Sequence, residues 1–201
     1  MKRTFTNEQR RAQIVTAAIE TIAELGYAKA SFARITERAG LSSPRMISYH
    51  FADKDDLVQQ IATEVCTAGG EFVVDRMRGA ETHLERLRAY LEANLEFLRD
   101  HPERIAALTE IGPHLRTAAG EPHTSTTAQD FSVRTLADQL AEGQAAGEFR
   151  DFDTRAMAVL IRSAVDSAGR RLREDPDFDV ESYTREVVTT FTLATRSEPT
   201  P

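Results

Sequence analysis

The feature that most restricts this chain is the spacing of its apolar residues. Over almost the whole sequence they recur three and four positions apart, the period of one helix face, and no segment alternates as a half-buried strand requires. Ile14, Ala18, Ile22 and Leu25 form the first stripe, and Gly26 can supply the left-handed turn that ends it. A short second helix can start after Ser31, with Phe32, Ile35 and Ala39 on one face and Gly40 closing it. Ser43-Pro44 reads as an N-cap followed by a first-turn proline, starting a third short helix that reaches His50. Asp53 can cap a fourth, with Asp56 beside the positive end of its dipole.

Longer stripes follow. Leu57, Ile61, Val65, Ala68 and Phe72 are interrupted by Gly69-Gly70, where a bend, a close packing contact or a break is expected. Leu84, Leu87, Leu91, Leu95 and Leu98 end near His101-Pro102, and Ile105, Leu108 and Ile111 make a shorter run. Residues 112–127 read as a loop. Val133, Leu136 and Leu140 restart a helix that stops at Gly147. Met157, Leu160, Ile161, Ala164 and Val165 precede a break at Asp175-Pro176-Asp177, and Tyr183, Val187, Phe191 and Ala194 mark the last helix. The expected fold is all-α: a three-helix N-terminal domain over 1–54 and a helical C-terminal domain over 55–201. A chain of 201 residues is long enough to bury roughly 70% of its unfolded surface.

No apolar run approaches the roughly 18 residues of a membrane helix, and the polar Met1–Glu8 segment does not read as a signal peptide. A single cysteine, Cys66, excludes an internal disulfide framework and a cysteine-rich zinc site. A cytoplasmic protein without membrane partner or cofactor is expected. The net charge of −7 is unevenly spread. Residues 1–54 carry nine Lys/Arg against five Asp/Glu, whereas 55–201 carry sixteen Arg, no Lys and twenty-seven Asp/Glu. A basic end on an acidic body points to a polyanion as partner, or to a solvated basic surface.

The second and third helices, separated by Ala39-Gly40-Leu41-Ser42, have the pattern of a helix-turn-helix. The glycine permits the steep crossing, and Leu41 can pack between the helices. Ser43, Arg45, Ser48, Tyr49 and His50 give the third helix a polar side able to enter a major groove, while Met46, Ile47 and Phe51 can face the core. An ordinary three-helix knot without a ligand is the alternative.

Residues 11–60 resemble the DNA-binding domain of the tetracycline-repressor (TetR) family of bacterial transcription regulators. The likeness runs through Ile14, Ala17-Ala18, Gly26-Tyr27, Ser31-Phe32, Ile35, Glu37–Ser42 and Tyr49–Leu57. Farther on, Gly143–Arg150 resembles a common helix-ending segment of that family. The resemblance implies that Tyr49 and His50 meet phosphates and base edges, and that Lys54 meets a phosphate. Arg45 can read guanine bidentately, and Ser43 and Ser48 can contact phosphate or base. Ser48 stands where an additional tyrosine is usual, Thr36 where alanine is usual, and one extra residue lies between Gly40 and Phe51.

The resemblance further implies a homodimer on a near-palindromic double-stranded DNA operator, released by a small-molecule effector. An effector pocket is expected around Phe72, Phe97, Glu110, His114 and Phe131, against ordinary core packing. A four-helix dimer interface is expected to use Ala164, Ala168, Tyr183, Val187 and Phe191, against burial within one subunit. Arg162 and Asp166, four apart, are in reach of each other. His114, Glu121 and His123 are a weak metal candidate, and Glu92 and Glu96 read as a solvated face. No phosphate loop, nucleophile elbow or hydrolytic triad is present, so no enzyme activity is expected. A DNA-binding protein without an effector and, more remotely, a helical enzyme are the competing readings.

Overall fold

A computed structural model of the chain describes residues 2–116 and 125–197. Among these, nine α-helices account for the architecture, with an isolated bridge between Phe149 and Arg196 in place of any strand. The helices are α1 (Lys2–Leu25), α2 (Phe32–Arg38), α3 (Arg45–His50), α4 (Lys54–Met77), α5 (His83–Asp100), α6 (Pro102–Ile111), α7 (Ser125–Ala145), α8 (Thr154–Glu174) and α9 (Val180–Thr195). None is long and apolar enough to cross a membrane.

The helix ends follow from local chemistry. The Ser31 side chain accepts from the Arg34 N–H at the start of α2, and Asp53 accepts from the Asp56 N–H at the start of α4. Asp56 returns the contact by accepting from the Ala52 N–H. Thr82 and Glu85 form a reciprocal capping box on α5, and Asp153 and Asp179 cap α8 and α9. Ser43 makes no such cap: Pro44 already holds helical angles (φ −60°, ψ −21°), and the Ser43 carbonyl accepts the first turn's bond from Met46 instead.

Two compact units divide the chain. The first holds the residues up to Thr67 together with the segment from Glu103, and the second holds Ala68–Pro102 together with the chain from Ser125. The first unit therefore reaches beyond residue 54 and includes α6. Its core joins Ile14, Ile22, Ile35, Ile47, Phe51, Leu57 and Ile61 with Ala107 and Ile111 of α6. The core of the second joins leucines of α5 and α7 with Met157, Ile161, Val187 and Val188.

Helix α4 belongs to both units and is continuous through Gly69-Gly70. Of the bend, close packing contact or break expected there, the close contact is found at Gly69. A Cβ at Gly69 would lie 3.3 Å from Cε1 of Phe97, so the missing side chain makes room for the Phe97 ring. A Cβ at Gly70 would meet nothing within 4 Å, and nothing in the structure explains that glycine.

Candidate nucleic-acid interface

The turn between α2 and α3 is built from the backbone outward. Gly40 takes φ +63°, the left-handed conformation that favours glycine. Its N–H donates to the Glu37 carbonyl at 3.1 Å, and the Leu41 N–H donates to the Thr36 carbonyl at 2.9 Å. This crossed pair closes α2 in the Schellman manner and delivers Leu41 onto the apolar core. Thr36, where an alanine is usual, is buried without a penalty because its hydroxyl donates to the Phe32 carbonyl at 2.6 Å. Gln13 of α1 donates to the Ala39 carbonyl at 2.7 Å, fixing the end of α2 from outside.

Helix α3 is thereby set with one face in and one face out. Ile47 and the following Phe51 are buried, and Met46 is half-buried. Arg45, Ser48 and Tyr49 are exposed, Tyr49 by 77%, and Ser43 and His50 are half-exposed. A 77% exposed tyrosine has no packing role in the folded subunit beyond an edge contact with His50, ring centres 5.2 Å apart. Five of the six residues expected to meet DNA thus lie at least partly exposed on α3 and the turn before it, and the sixth, Lys54, opens α4.

Arg11, which sequence reasoning counted only as charge, holds α3 in place. It donates from Nη1 to the His50 carbonyl at 2.6 Å and from Nη2 to Gln60 Oε1 at 3.0 Å. Its guanidinium stands 4.2 Å from the Phe51 ring centre. One side chain from α1 thus ties the end of α3 to α4. Burial, with Arg11 and then Arg10 adding to it, lowers the His50 pKa below the ordinary histidine value and so favours the neutral imidazole in the free protein.

Lys54 is less free than expected. Its Nζ donates to the Tyr27 carbonyl at 2.6 Å and stands 3.8 Å from the centre of the Tyr27 ring. Burial lowers its pKa, with Asp55 opposing. Of the expected effector residues, Glu110 and His114 belong to this same neighbourhood. The Tyr27 N–H donates to Glu110 Oε2 at 3.3 Å, and the His114 ring stacks on Tyr27 at 3.7 Å. Burial, then Asp55, raises the Tyr27 pKa.

The other expected effector residues lie in the second unit. Phe72 and Phe97 touch, with ring centres 5.7 Å apart, whereas Phe131 is 73% exposed. The second unit also holds an open cleft of about 610 Å³ between the end of α4, the start of α5 and α7. Val74, Met77, Leu87, Leu136, Leu140 and Phe149 line it, none of them an expected effector contact. His123 and Glu121 lie outside the described residues, and no group of three His, Cys, Asp or Glu able to hold a metal occurs among the described ones.

The expected dimer residues are mostly occupied within the subunit. Ala168 and Val187 are in its core, and the Tyr183 hydroxyl donates to the Ala164 carbonyl at 2.8 Å. Phe191 is half-buried against the same core. The large apolar side chains that α8 and α9 leave exposed are Val159, Leu160 and Leu193, by 45%, 58% and 65%. Arg162 and Asp166 do pair, at 3.0 Å, within a network that includes Tyr90 and Asn94.

A buried scaffold that presents a short polar helix beside a half-buried lysine defines a helix-turn-helix DNA-binding regulator. The model described as bacterial regulatory proteins, tetR family, matches residues 14–61, and the one described as tetracyclin repressor-like, C-terminal domain, matches residues 80–193. The chain belongs to the TetR family of transcription regulators. It is similar to the HTH-type transcriptional regulator BetI 1 of Chromohalobacter salexigens, 36% identical over 88 residues. That match spans 43% of this chain and 43% of the relative's length. Its fold is similar to that of a TetR-family transcriptional regulator from Rhodococcus sp., with TM-score 0.76 and 22% identity over 92% of this chain and 98% of the other. It is likewise similar to AibR in complex with isovaleryl coenzyme A and operator DNA, with TM-score 0.72 and 18% identity over 90% and 97% of the two chains.

Proposed function

We propose that the protein is a cytoplasmic, homodimeric repressor that binds a near-palindromic operator and leaves it when a small molecule binds the C-terminal unit. It acts as a regulator and not as a catalyst. The observation that carries the DNA reading is the two-sided helix α3: buried Ile47 and Phe51 fix it, and exposed Arg45, Ser48 and Tyr49 have no packing duty in the subunit. Arg45 reads a guanine edge, Ser43 and Ser48 meet phosphate or base, and Tyr49, His50 and Lys54 meet the backbone and adjoining base edges. One such helix spans only a few base pairs, so a second copy related by two-fold symmetry supplies the other half-site. Val159, Leu160 and Leu193 support α8 and α9 as the surface that joins the copies.

The effector part of the reading rests on α4, which runs unbroken from Lys54 to Met77. Phe72 with Phe97, and the cleft at the end of α4, put apolar surface for a ligand beside its second half. AibR, whose structure was determined with both an acyl thioester and operator DNA, has this fold and so lends the two-ligand arrangement support by analogy.

The test is binding to duplexes selected from genomic fragments, measured by fluorescence anisotropy over a salt series. Arg45→Ala is expected to cost about 1–3 kcal/mol and to relax discrimination at one base pair. Lys54→Ala is expected to weaken all sequences alike and to reduce the salt slope by about one phosphate contact. Equal loss of discrimination in both variants would overturn these roles.

A further inference from the structure

Tyr27 is the residue on which three separate elements of the first unit converge. It follows Gly26, whose φ of +76° ends α1. A nearly parallel imidazole, His114, covers one face of its ring at 3.7 Å with 21° between the planes. The Lys54 ammonium, 3.8 Å from the same ring centre, therefore occupies the other face. Tyr27's backbone is engaged as well: its carbonyl accepts from Lys54 Nζ at 2.6 Å, and its N–H donates to Glu110 Oε2 at 3.3 Å. A Cβ on Gly26 would lie 3.3 Å from Glu110 Oε2, a tight contact that a shift of a few tenths of an ångström in the carboxylate would relieve. Beyond His114, Gln59 of α4 donates to the Arg116 carbonyl at 3.1 Å, holding the segment after α6 against α4. Ala107 and Ile111 anchor α6 in the core that also seats α3.

We infer that Tyr27 is a positioning residue for DNA binding: it holds the Lys54 ammonium at the start of α4 in the place where it meets a phosphate, and Glu110 of α6 and His114 of the turn after α6 hold Tyr27 in place to do so. This rests on the reading of Lys54 as a phosphate contact. A lysine on a four-carbon stem loses rotamer entropy when it is fixed. Tyr27 makes part of that loss in the free protein, and one hydrogen bond to its carbonyl leaves two ammonium protons for a phosphate. Their contacts with Tyr27 give Glu110 and His114 a part in operator binding without either touching DNA.

A double-mutant cycle on the intact chain tests this, with a selected duplex and a scrambled duplex of the same length as probes. Tyr27→Leu keeps an apolar side chain and the backbone carbonyl but removes both ring contacts. It is expected to weaken both duplexes by about threefold to tenfold, in line with a cation–π contact, and to flatten the salt slope toward that of Lys54→Ala. In the Lys54→Ala background the same change is expected to have no further effect. His114→Ala and Glu110→Ala are expected to follow the same pattern with smaller losses, and Tyr27→Phe, which keeps the ring, is expected to bind as the wild type does. Circular dichroism melts of each variant establish that the folded state is being compared. Equal losses in the presence and absence of Lys54 would show that Tyr27 acts only on the fold and would overturn the inference. A wild-type salt slope in Lys54→Ala itself would instead remove the phosphate reading on which the inference stands.

Discussion

Replacing Arg11 with methionine tests whether α3 is placed by its own packing or by the side chain that ties it down. Three contacts are lost: the bond to the His50 carbonyl at 2.6 Å, the bond to Gln60 at 3.0 Å, and the stacking over Phe51 at 4.2 Å. A hydrogen bond from a charged donor contributes about 1.5–3 kcal/mol net, and the half-buried setting of Arg11 puts its bonds at or below the low end. An exposed cation–π contact adds about 0.5–1 kcal/mol. Methionine keeps the packing of the aliphatic stem, and water can reach the freed carbonyl. The expected cost is about 2 kcal/mol, which for a protein of this size lowers Tm by about 4–8 °C.

Thermal unfolding followed by circular dichroism measures the shift, and duplex binding well below the new Tm measures what reaches DNA. Arg11→Lys separates charge from geometry. A single ammonium can hardly reach the His50 carbonyl and Gln60 Oε1 together, as the planar guanidinium does, so lysine is expected to recover less than half of the loss. A Tm within about 1 °C of wild type for Arg11→Met, or full recovery by lysine, would show that the Ile47 and Phe51 packing alone places the helix.

Three further outcomes are expected. The double change Leu160→Glu with Leu193→Glu should leave a folded monomer in sedimentation, with weakened operator binding, whereas Val187→Glu, within the subunit core, should unfold the chain. Gly70→Ala should stabilise α4 by about 1 kcal/mol in a chemical melt, while Gly69→Ala should be closer to neutral because its Cβ would press on Phe97. His50, whose folded pKa is lowered, favours the neutral imidazole in the free protein, and a nearby phosphate favours the imidazolium. Operator affinity should therefore rise as pH falls through the ordinary histidine range. The stability of the free protein should fall over that same range, because the unfolded state takes up the proton first. Both trends should be absent in His50→Asn.

The parts legible in the sequence are those fixed by neighbours along the chain. Gly26, Gly40 and Gly147 were placed at helix ends by the stripes they follow, and all three have φ between +63° and +76°. Caps at Ser31 and Asp53 rest on bonds to residues three positions on, which short-range chemistry dictates. The inward and outward faces of α3 followed from periodicity in the same way. What periodicity could not give is which helices meet. Arg11 and His50 are thirty-nine residues apart, and Tyr27 and Glu110 eighty-three. Nor could periodicity give that Glu110 of α6 and His114 of the turn after it, read as pocket residues, both meet Tyr27. Ala168 and Val187 looked like interface because an apolar stripe does not say whether the same chain or a second copy covers it. That Leu160 and Leu193 stay exposed is seen only once the subunit's own core has been filled.

The two glycines of α4 show how a local cost is misread without its neighbours. Together they cost a helix roughly 2 kcal/mol relative to alanine, and from sequence alone a bend or a break was as good an explanation as close contact. The structure places Phe97 against Gly69, and Phe97 is itself held by Phe72 and His101. The glycine therefore makes room for the Phe97 ring while the helix remains continuous. Under the proposed reading this changes how a ligand beside Phe72 would act. A hinge would absorb the displacement locally, whereas a continuous helix carries it to the residues at its first turn. Those residues include Lys54, which Tyr27 already holds. Regulation would then depend on the stiffness of α4, and a helix-breaking Gly70→Pro, at an exposed position outside both cores, would uncouple ligand from DNA while leaving each free to bind.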